Sequence, residues 1–555
     1  MFRLLAAVIA ALFVVAHPSA QSPVRLVVVV VLDQFRADYL TTFASHWRDG
    51  FRTLLNEGAV FTRAAYPYQH TDTCAGHFTI GTGAFPRTHG MVSDLWWDPE
   101  SRRNIECTDD DQSPLVTYGR PSKLGKSARR SMVPSLADEL RSQKPGARVV
   151  SLSLKARSAI GLTGHGGDAI TWFEESVGVG SFVTARAFSA DPVPAVRAFL
   201  TRDSFEKDFG KVWTLRDPRE TYRNADAGIG ERPRRPWTGL FPHEIKGTTD
   251  SRDDAVALWR ASPFSDAYLG RMALDLIDAF SLGTRTGTDF LGVGFSSTDS
   301  VGHPFGPASR ELEDTVARQD DVLGTLIRKL DQKVGRERYV LAVSADHGVS
   351  DVPVTRGAGR IASEDIRERI EEILINRFGP PPAKTRYIVA ASDFIRFADG
   401  IFDRVRNDPA LLTAIERAVT AIPGVDRVLR KDTLSDRSSD PIVRAAALTK
   451  FEGRSGDLII VPKPNWPLGG RAVAEAGSHG APYDYDQRVP VILFGAGVKA
   501  GRYERAATPA DIAPTLARVA GIRMTKAEGR VLTEALRADL PSNDATAAPG
   551  ARSTR

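Results

Sequence analysis

Six side chains of the kinds that hold a divalent cation are scattered along the chain: Asp33, Asp299, His303, Asp346, His347 and His479. Each stands at the end of an apolar run or in a glycine-flanked turn. Asp33 closes the run Leu26–Leu32, and Asp299 and His303 follow Phe290–Phe295. Asp346-His347 follows Tyr339–Val343, and His479 lies in Gly477-Ser478-His479-Gly480. Carboxylates with imidazoles and no thiolates suit zinc, with manganese or iron as poorer fits. Six ligands exceed one tetrahedral zinc, whereas three per ion leave each ion open for chemistry. Two such ions about 4 Å apart can hold the attacking and leaving oxygens of an in-line phosphoryl displacement. A lone Asp-x-x-x-His matches by chance in many proteins, so the weight rests on all six occurring at strand ends.

The elements that must position these groups are legible as a pattern. The three apolar runs are continuous and rich in β-branched residues, as in parallel strands covered on both faces. Polar residues at their C-terminal ends fall where open α/β sheets place ligands. Between the runs, Leu312 to Leu330, Ser265 to Leu282 and Pro509 to Ala520 carry helical periodicity. The fold class is therefore α/β, a three-layer αβα sandwich with a mostly parallel central sheet. Two regions break the rhythm, at about 180–262 and 355–470, and read as cap-like insertions. Other phosphate and nucleophile motifs fail. Gly119 to Ser127 has the wrong spacing for a P-loop, no glycine fingerprint follows the valine-rich strand, and no Gly-x-Ser-x-Gly elbow is present.

Of 555 residues, 25% are charged and 42% hydrophobic, which excludes disorder, collagen and a cysteine scaffold. The net charge of +5 is small for this length, and no basic stripe interleaves with aromatics, which argues against a nucleic-acid-binding module. Residues 1–20 have the outline of a secretory signal peptide, with Arg3, an apolar stretch from Leu4 to Ala16, and Pro18-Ser19-Ala20. The expected organisation is a signal peptide, a catalytic domain over 21–540 and a disordered tail over 541–555. The mature protein is expected to have no membrane span and to be periplasmic or secreted. Export permits a disulfide between Cys74 and Cys107, with two unpaired thiols as the alternative.

Asp33, His70-Thr71-Asp72-Thr73-Cys74-Ala75-Gly76-His77, Thr298-Asp299-Ser300-Val301-Gly302-His303, Ala345-Asp346-His347-Gly348 and His479-Gly480 together resemble the alkaline phosphatase superfamily. The nearest branch is that of the nucleotide pyrophosphatase/phosphodiesterases and their phosphate-irrepressible alkaline phosphatase relatives. The resemblance implies two zinc ions, one held by Asp299, His303 and His479, the other by Asp33, Asp346 and His347. It places Thr73 at the nucleophile position and in contact with metal, with Thr71 as the rival. Lys155 and Arg157 resemble the cation pair that marks the monoesterase branch. Alternation along Ser151–Arg157 predicts a strand that projects both to one side, where they could bind non-bridging phosphate oxygens. After His89-Gly90 the monoesterases carry a phosphate-binding asparagine, but Ser93-Asp94-Leu95-Trp96-Trp97 puts Asp94 there. A carboxylate beside a phosphate dianion is repulsive unless protonated, turned away or paired with Lys155 or Arg157. Ser93 can supply a neutral donor instead.

The implied activity is that of an exported two-zinc alkaline phosphatase. It would hydrolyse small-molecule phosphate monoesters through a phosphothreonine intermediate. A phosphodiesterase or nucleotide pyrophosphatase with the same metal core is the alternative, and a non-catalytic phosphate- or metal-binding protein is the rival from another class.

Overall fold

The computed structural model describes residues 23–177, 180–246, 252–471, 475–538 and 540. The expected signal peptide over 1–20 and tail over 541–555 lie outside these residues. Eleven strands form one sheet. In chain order they are β1 (Leu26–Leu32), β2 (Ala59–Phe61), β3 (Asp109–Thr117), β4 (Gly125–Lys126), β5 (Val149–Ser153) and β6 (Ala169–Glu174). The others are β7 (Ser181–Ala185), β8 (Asp289–Phe295), β9 (Tyr339–Ser344), β10 (Val491–Gly495) and β11 (Gly501–Tyr503). The spatial order is β11-β2-β10-β9-β1-β8-β5-β6-β7-β3-β4. The five central strands from β9 to β6 run parallel. Antiparallel pairings attach β10 on one side and β7 on the other, so the sheet is mixed outside its parallel centre.

The unbroken apolar run of β1 follows from burial on both faces. Leu26, Val28, Val30 and Leu32 join one apolar cluster, while Val27, Val29 and Val31 join the other. Eight helices of the fold bear on the argument: α1 (Thr73–Thr82), α2 (Ala156–Thr163), α3 (Arg252–Arg260), α4 (Pro263–Ala279), α5 (Ser297–Phe305), α6 (Arg310–Lys333), α7 (Ser363–Phe378) and α8 (Ile512–Ala520). The first cluster is closed by α4 and α6 through Tyr268, Met272, Leu323 and Leu330. The second is closed by α1, α2 and α8 through Phe78, Ile160 and Leu516. This is the expected three-layer sandwich.

Two local expectations are corrected. The chain does not continue as a strand through Arg157: β5 ends at Ser153, and Lys155 is the N-cap residue of α2. Ser153 Oγ accepts a hydrogen bond from the Lys155 N–H at 3.2 Å, and the chain turns into the helix that a parallel strand needs to leave the sheet. The region from residue 180 also begins with a central-sheet strand, because Ser181–Ala185 pairs with both β6 and β3. Only five residues long, that strand is too short to stand out beside the Arg- and Pro-rich sequence after it. Farther along, Ile388–Ala391, Phe394–Phe397, Leu458–Pro462 and Val425–Arg430 form a separate four-stranded sheet. It has its own apolar cluster with α7, built on Ile366, Ile370 and Leu374. Among the described residues, no helix is long and apolar enough to cross a membrane.

Candidate active site

The parallel strands deliver the candidate ligands to one edge. Asp33 directly follows β1, and its N–H donates to Phe295 O, the last residue of β8, at 2.9 Å. Asp299 and His303 lie one turn apart on α5, and Asp346-His347 follows β9. Among the described residues, two groups have their ligand atoms within 4.8 Å of one another: Asp299, His303 and His479, and Asp33, Asp299 and His347. The first matches the expected triad. The second has Asp299 where Asp346 was expected; Asp346 Oδ1 accepts from the N–H groups of Gln34 and His347, each at 3.0 Å. Its Oδ2 stands 3.7 Å from His347 Nε2.

The donor set fits divalent cations. Each of the three histidines uses Nδ1 on a main-chain carbonyl: His303 on Gly477 O (3.0 Å), His347 on Gly348 O (2.9 Å) and His479 on Thr71 O (3.0 Å). These bonds set the tautomer and turn Nε2 inward, the usual support for a metal-ligating imidazole. Asp33 Oδ1, Asp346 Oδ2 and His347 Nε2 are buried without a hydrogen-bond partner. Such atoms are costly unless a cation takes them up. Burial, then the facing carboxylates of Asp299 and Asp346, pushes the Asp33 carboxyl well above its usual range. Desolvation and like-charge repulsion both disfavour its ionised form.

Thr73 is the first residue of α1, where main-chain N–H groups face an incoming anion. The helix is buried along its whole length, and Asp72 caps it by accepting from the Ala75 N–H at 3.1 Å. Gly76 is required for the approach: a Cβ there would lie 2.2 Å from Asp346 O. Lys155 Nζ reaches Asp33 Oδ2 at 2.6 Å, Asp299 Oδ2 at 2.7 Å and Thr73 Oγ1 at 3.4 Å. Burial draws the Lys155 ammonium down, but Asp299 and Asp33 outweigh it and hold the group charged. Arg157 does not share those partners. Its Nε pairs with Asp94 Oδ2 at 2.7 Å, so the carboxylate in the asparagine position is neutralised. Asp94 Oδ1 accepts from the Cys74 N–H at 2.7 Å, beside Thr73. A disulfide joins Cys74 to Cys107 and ties this turn to the chain beyond the Leu95–Glu106 hairpin.

A family model described as Type I phosphodiesterase / nucleotide pyrophosphatase matches residues 27–482. The chain belongs to this family. Alkaline phosphatase PhoV of Synechococcus elongatus is 30% identical over 94% of this chain and 94% of its own length. Alkaline phosphatase PafA of Elizabethkingia meningoseptica is 29% identical over 92% of this chain and 94% of its own. The crystal structure of wild-type PafA superposes with a TM-score of 0.83 at 28% identity, covering 93% of this chain and 99% of that one. A PafA mutant changed at a threonine, an asparagine, a lysine and an arginine superposes with a TM-score of 0.84 at 27% identity, over 93% of this chain and 99% of that one.

In this phosphodiesterase-family chain the site also includes residues that sequence reasoning passed over. Gln34, with φ of 65°, donates through Nε2 to Asp299 Oδ1 at 2.7 Å and through its main chain to Asp346, so one residue orients two carboxylates. Its signal was visible, since it directly follows Asp33. Asp72 accepts from the Asp94 N–H at 2.6 Å and pairs with His70 Nε2 at 3.1 Å. His77 donates through Nδ1 to Thr73 O at 2.9 Å.

His70 is buried between Asp72 and Asp393, which lies 3.7 Å away on the separate four-stranded unit. Burial pulls the His70 imidazolium down, but Asp393 and Asp72 outweigh it and raise it to about 9. A raised folded-state value stabilises the protein fully below the unfolded value, about 6.5, and this contribution drains away as pH climbs through the folded value. The Tm deficit of His70→Gln is therefore expected to be largest near pH 6 and to shrink towards pH 10. Thermal denaturation across that range tests it, and a deficit that stays constant or grows with pH refutes the charged pairing.

Proposed function

We propose that the protein is an exported two-zinc alkaline phosphatase that hydrolyses phosphate monoesters through a phosphothreonine intermediate. The observation that carries this reading is a buried lysine whose Nζ lies 3.4 Å from Thr73 Oγ1 while pairing with Asp33 and Asp299, members of the two three-ligand groups. The relatives named as alkaline phosphatases span nearly the whole chain and support it. Substitution of a threonine, an asparagine, a lysine and an arginine in the PafA mutant parallels the order Thr73, Asp94, Lys155 and Arg157 here.

Asp299, His303 and His479 would hold one zinc ion, and Asp33, Asp346 and His347 the other, with Asp299 within reach of both. When bound, the ions supply Lewis-acid stabilisation of charge on the attacking and leaving oxygens. Thr73 Oγ1 gives its proton to solvent and attacks phosphorus in line with the ester oxygen; the P–O bond to the alcohol breaks, and the departing alkoxide takes a proton from water. Lys155 Nζ, beside Thr73 Oγ1, stabilises the deprotonated hydroxyl and the equatorial oxygens of the transferred group. Arg157 exchanges part of its pairing with Asp94 for a non-bridging oxygen, while Ser93 offers a neutral hydroxyl nearby. Water then cleaves the phosphothreonine and restores Thr73.

The Cys74–Cys107 disulfide supports export, since such bonds persist in oxidising compartments. On this reading residues 1–20 are a signal peptide, 21–540 the catalytic domain with insertions near 180–262, apart from the central-sheet strand Ser181–Ala185, and near 355–470, and 541–555 a tail.

The family's phosphodiesterase description favours a second reading, a diesterase on the same metal core. Matched mono- and diesters of p-nitrophenol separate the two. A higher kcat/KM for the monoester is expected, and a higher value for the diester overturns the monoesterase assignment. Arg157→Ala should lower monoester kcat/KM by about 10- to 100-fold, the worth of one charge-assisted hydrogen bond, with a smaller loss on the diester. Equal losses count against its role.

A further inference from the structure

Ser93 and Asp94 also line a cavity of about 190 Å³. One wall is the Leu95–Glu106 hairpin, which contributes Trp97 and Asn104. The other comes from the separate four-stranded unit, with Asp393, Phe394 and Arg396, and from Arg454. Ser93 and Asp94 form the end nearest the candidate nucleophile, since Asp94 Oδ1 accepts from the N–H of the residue after Thr73.

The charges of this cavity do not balance. Its two carboxylates are already matched, Asp94 by Arg157 at 2.7 Å and Asp393 by His70 at 3.7 Å. Arg454 donates through Nη1 to the carbonyls of Gly90 and Arg130, both at 2.7 Å, and through Nη2 to Met132 Sδ at 3.5 Å, and its guanidinium lies 5.4 Å from the Trp96 ring centre and 4.8 Å from that of Phe451. Arg396 donates through Nη1 to Ser455 O at 2.9 Å. Neither guanidinium forms an ion pair with a carboxylate among the described residues. Carbonyl oxygens, a thioether and ring faces leave a guanidinium's charge unmatched by any anion. An ester with phosphorus at Thr73 has only its alcohol portion to place beyond Asp94.

We infer that this cavity binds the leaving group of the ester and selects alcohols that carry a second anionic group, a phosphate or a carboxylate, seated on Arg396 and Arg454. The inference rests on the phosphatase reading above. It gives the separate four-stranded unit a role in substrate choice, because that unit supplies Arg396 and the wall around it.

Two matched pairs of esters test it with the zinc-loaded full chain: fructose 1,6-bisphosphate against fructose 6-phosphate, and 3-phosphoglycerate against glycerol 3-phosphate. The doubly anionic member of at least one pair should have the higher kcat/KM. Arg396→Ala should lower that preference about tenfold, the worth of a charge-assisted contact, and Arg396→Lys should restore part of it. No preference in either pair, or a preference unchanged by Arg396→Ala, overturns the inference while turnover of p-nitrophenyl phosphate keeps the phosphatase reading standing. No turnover of any of these esters overturns the phosphatase reading, and the inference with it.

Discussion

Thr73→Ala is expected to lower kcat on p-nitrophenyl phosphate by about 10³-fold or more, equivalent to about 4 kcal/mol of transition-state stabilisation. The proposed route splits the displacement into two steps, and only Thr73 Oγ1 can open it. Removing that oxygen leaves direct attack by water, at an angle and distance the site has not been built to supply. The fold should be spared. Thr73 is the first residue of a helix already capped by the Asp72 side chain, and neighbouring Cys74 stays anchored through its disulfide to Cys107. Alanine is well tolerated at such a position, so Tm should remain near that of the parent. Thr73→Ser should retain far more activity than Thr73→Ala. Acid-quenched reactions of the parent should yield a phosphorylated peptide containing Thr73. Full activity in Thr73→Ala, or phosphate found on Thr71 instead, defeats the assignment.

Removal of metal is the second large effect. Asp33 and Asp346 are fully buried and Asp299 nearly so, and they meet His347 and His479 at one strand edge. Lys155 offsets part of that negative charge. Prolonged chelation should abolish turnover and lower Tm, and two equivalents of zinc per chain should restore both. Each ion present at a hundredfold excess over its Kd contributes about 2.7 kcal/mol to stability, so the Tm shift should be easily measured. His479→Ala, which leaves Asp33, Asp346 and His347 in place, should lose one equivalent and keep the other. Metal analysis of active protein that finds a single equivalent, or a Tm indifferent to the chelator, refutes the two-ion site.

Part of this site was legible from residue order alone because strands covered on both faces announce themselves. The run Leu26–Leu32 has no polar interruption, so Asp33 had to mark the point where the chain leaves the sheet. The same logic exposed Asp299, His303, Asp346 and His347. Lys155 and Arg157 were found but misplaced: alternation over Ser151–Leu154 continues the β5 pattern past its end. It is the tertiary need to cross back through α2 that turns the chain at Lys155.

By itself the sequence determined the sandwich, since its apolar runs and helical periodicities are written locally, whereas the ligand set and Thr73 were expectations from residue types and from the family resemblance. Only the tertiary structure decided how those residues are shared. Asp299 falls between two ligand groups, Asp94 is neutralised by Arg157, and Gln34 holds two carboxylates from distant elements. Only the tertiary structure, too, sets Arg396 of the separate sheet opposite Asn104 of the hairpin across one cavity. Such pairings depend on side-chain distances across hundreds of residues of chain, and no periodicity or spacing encodes them.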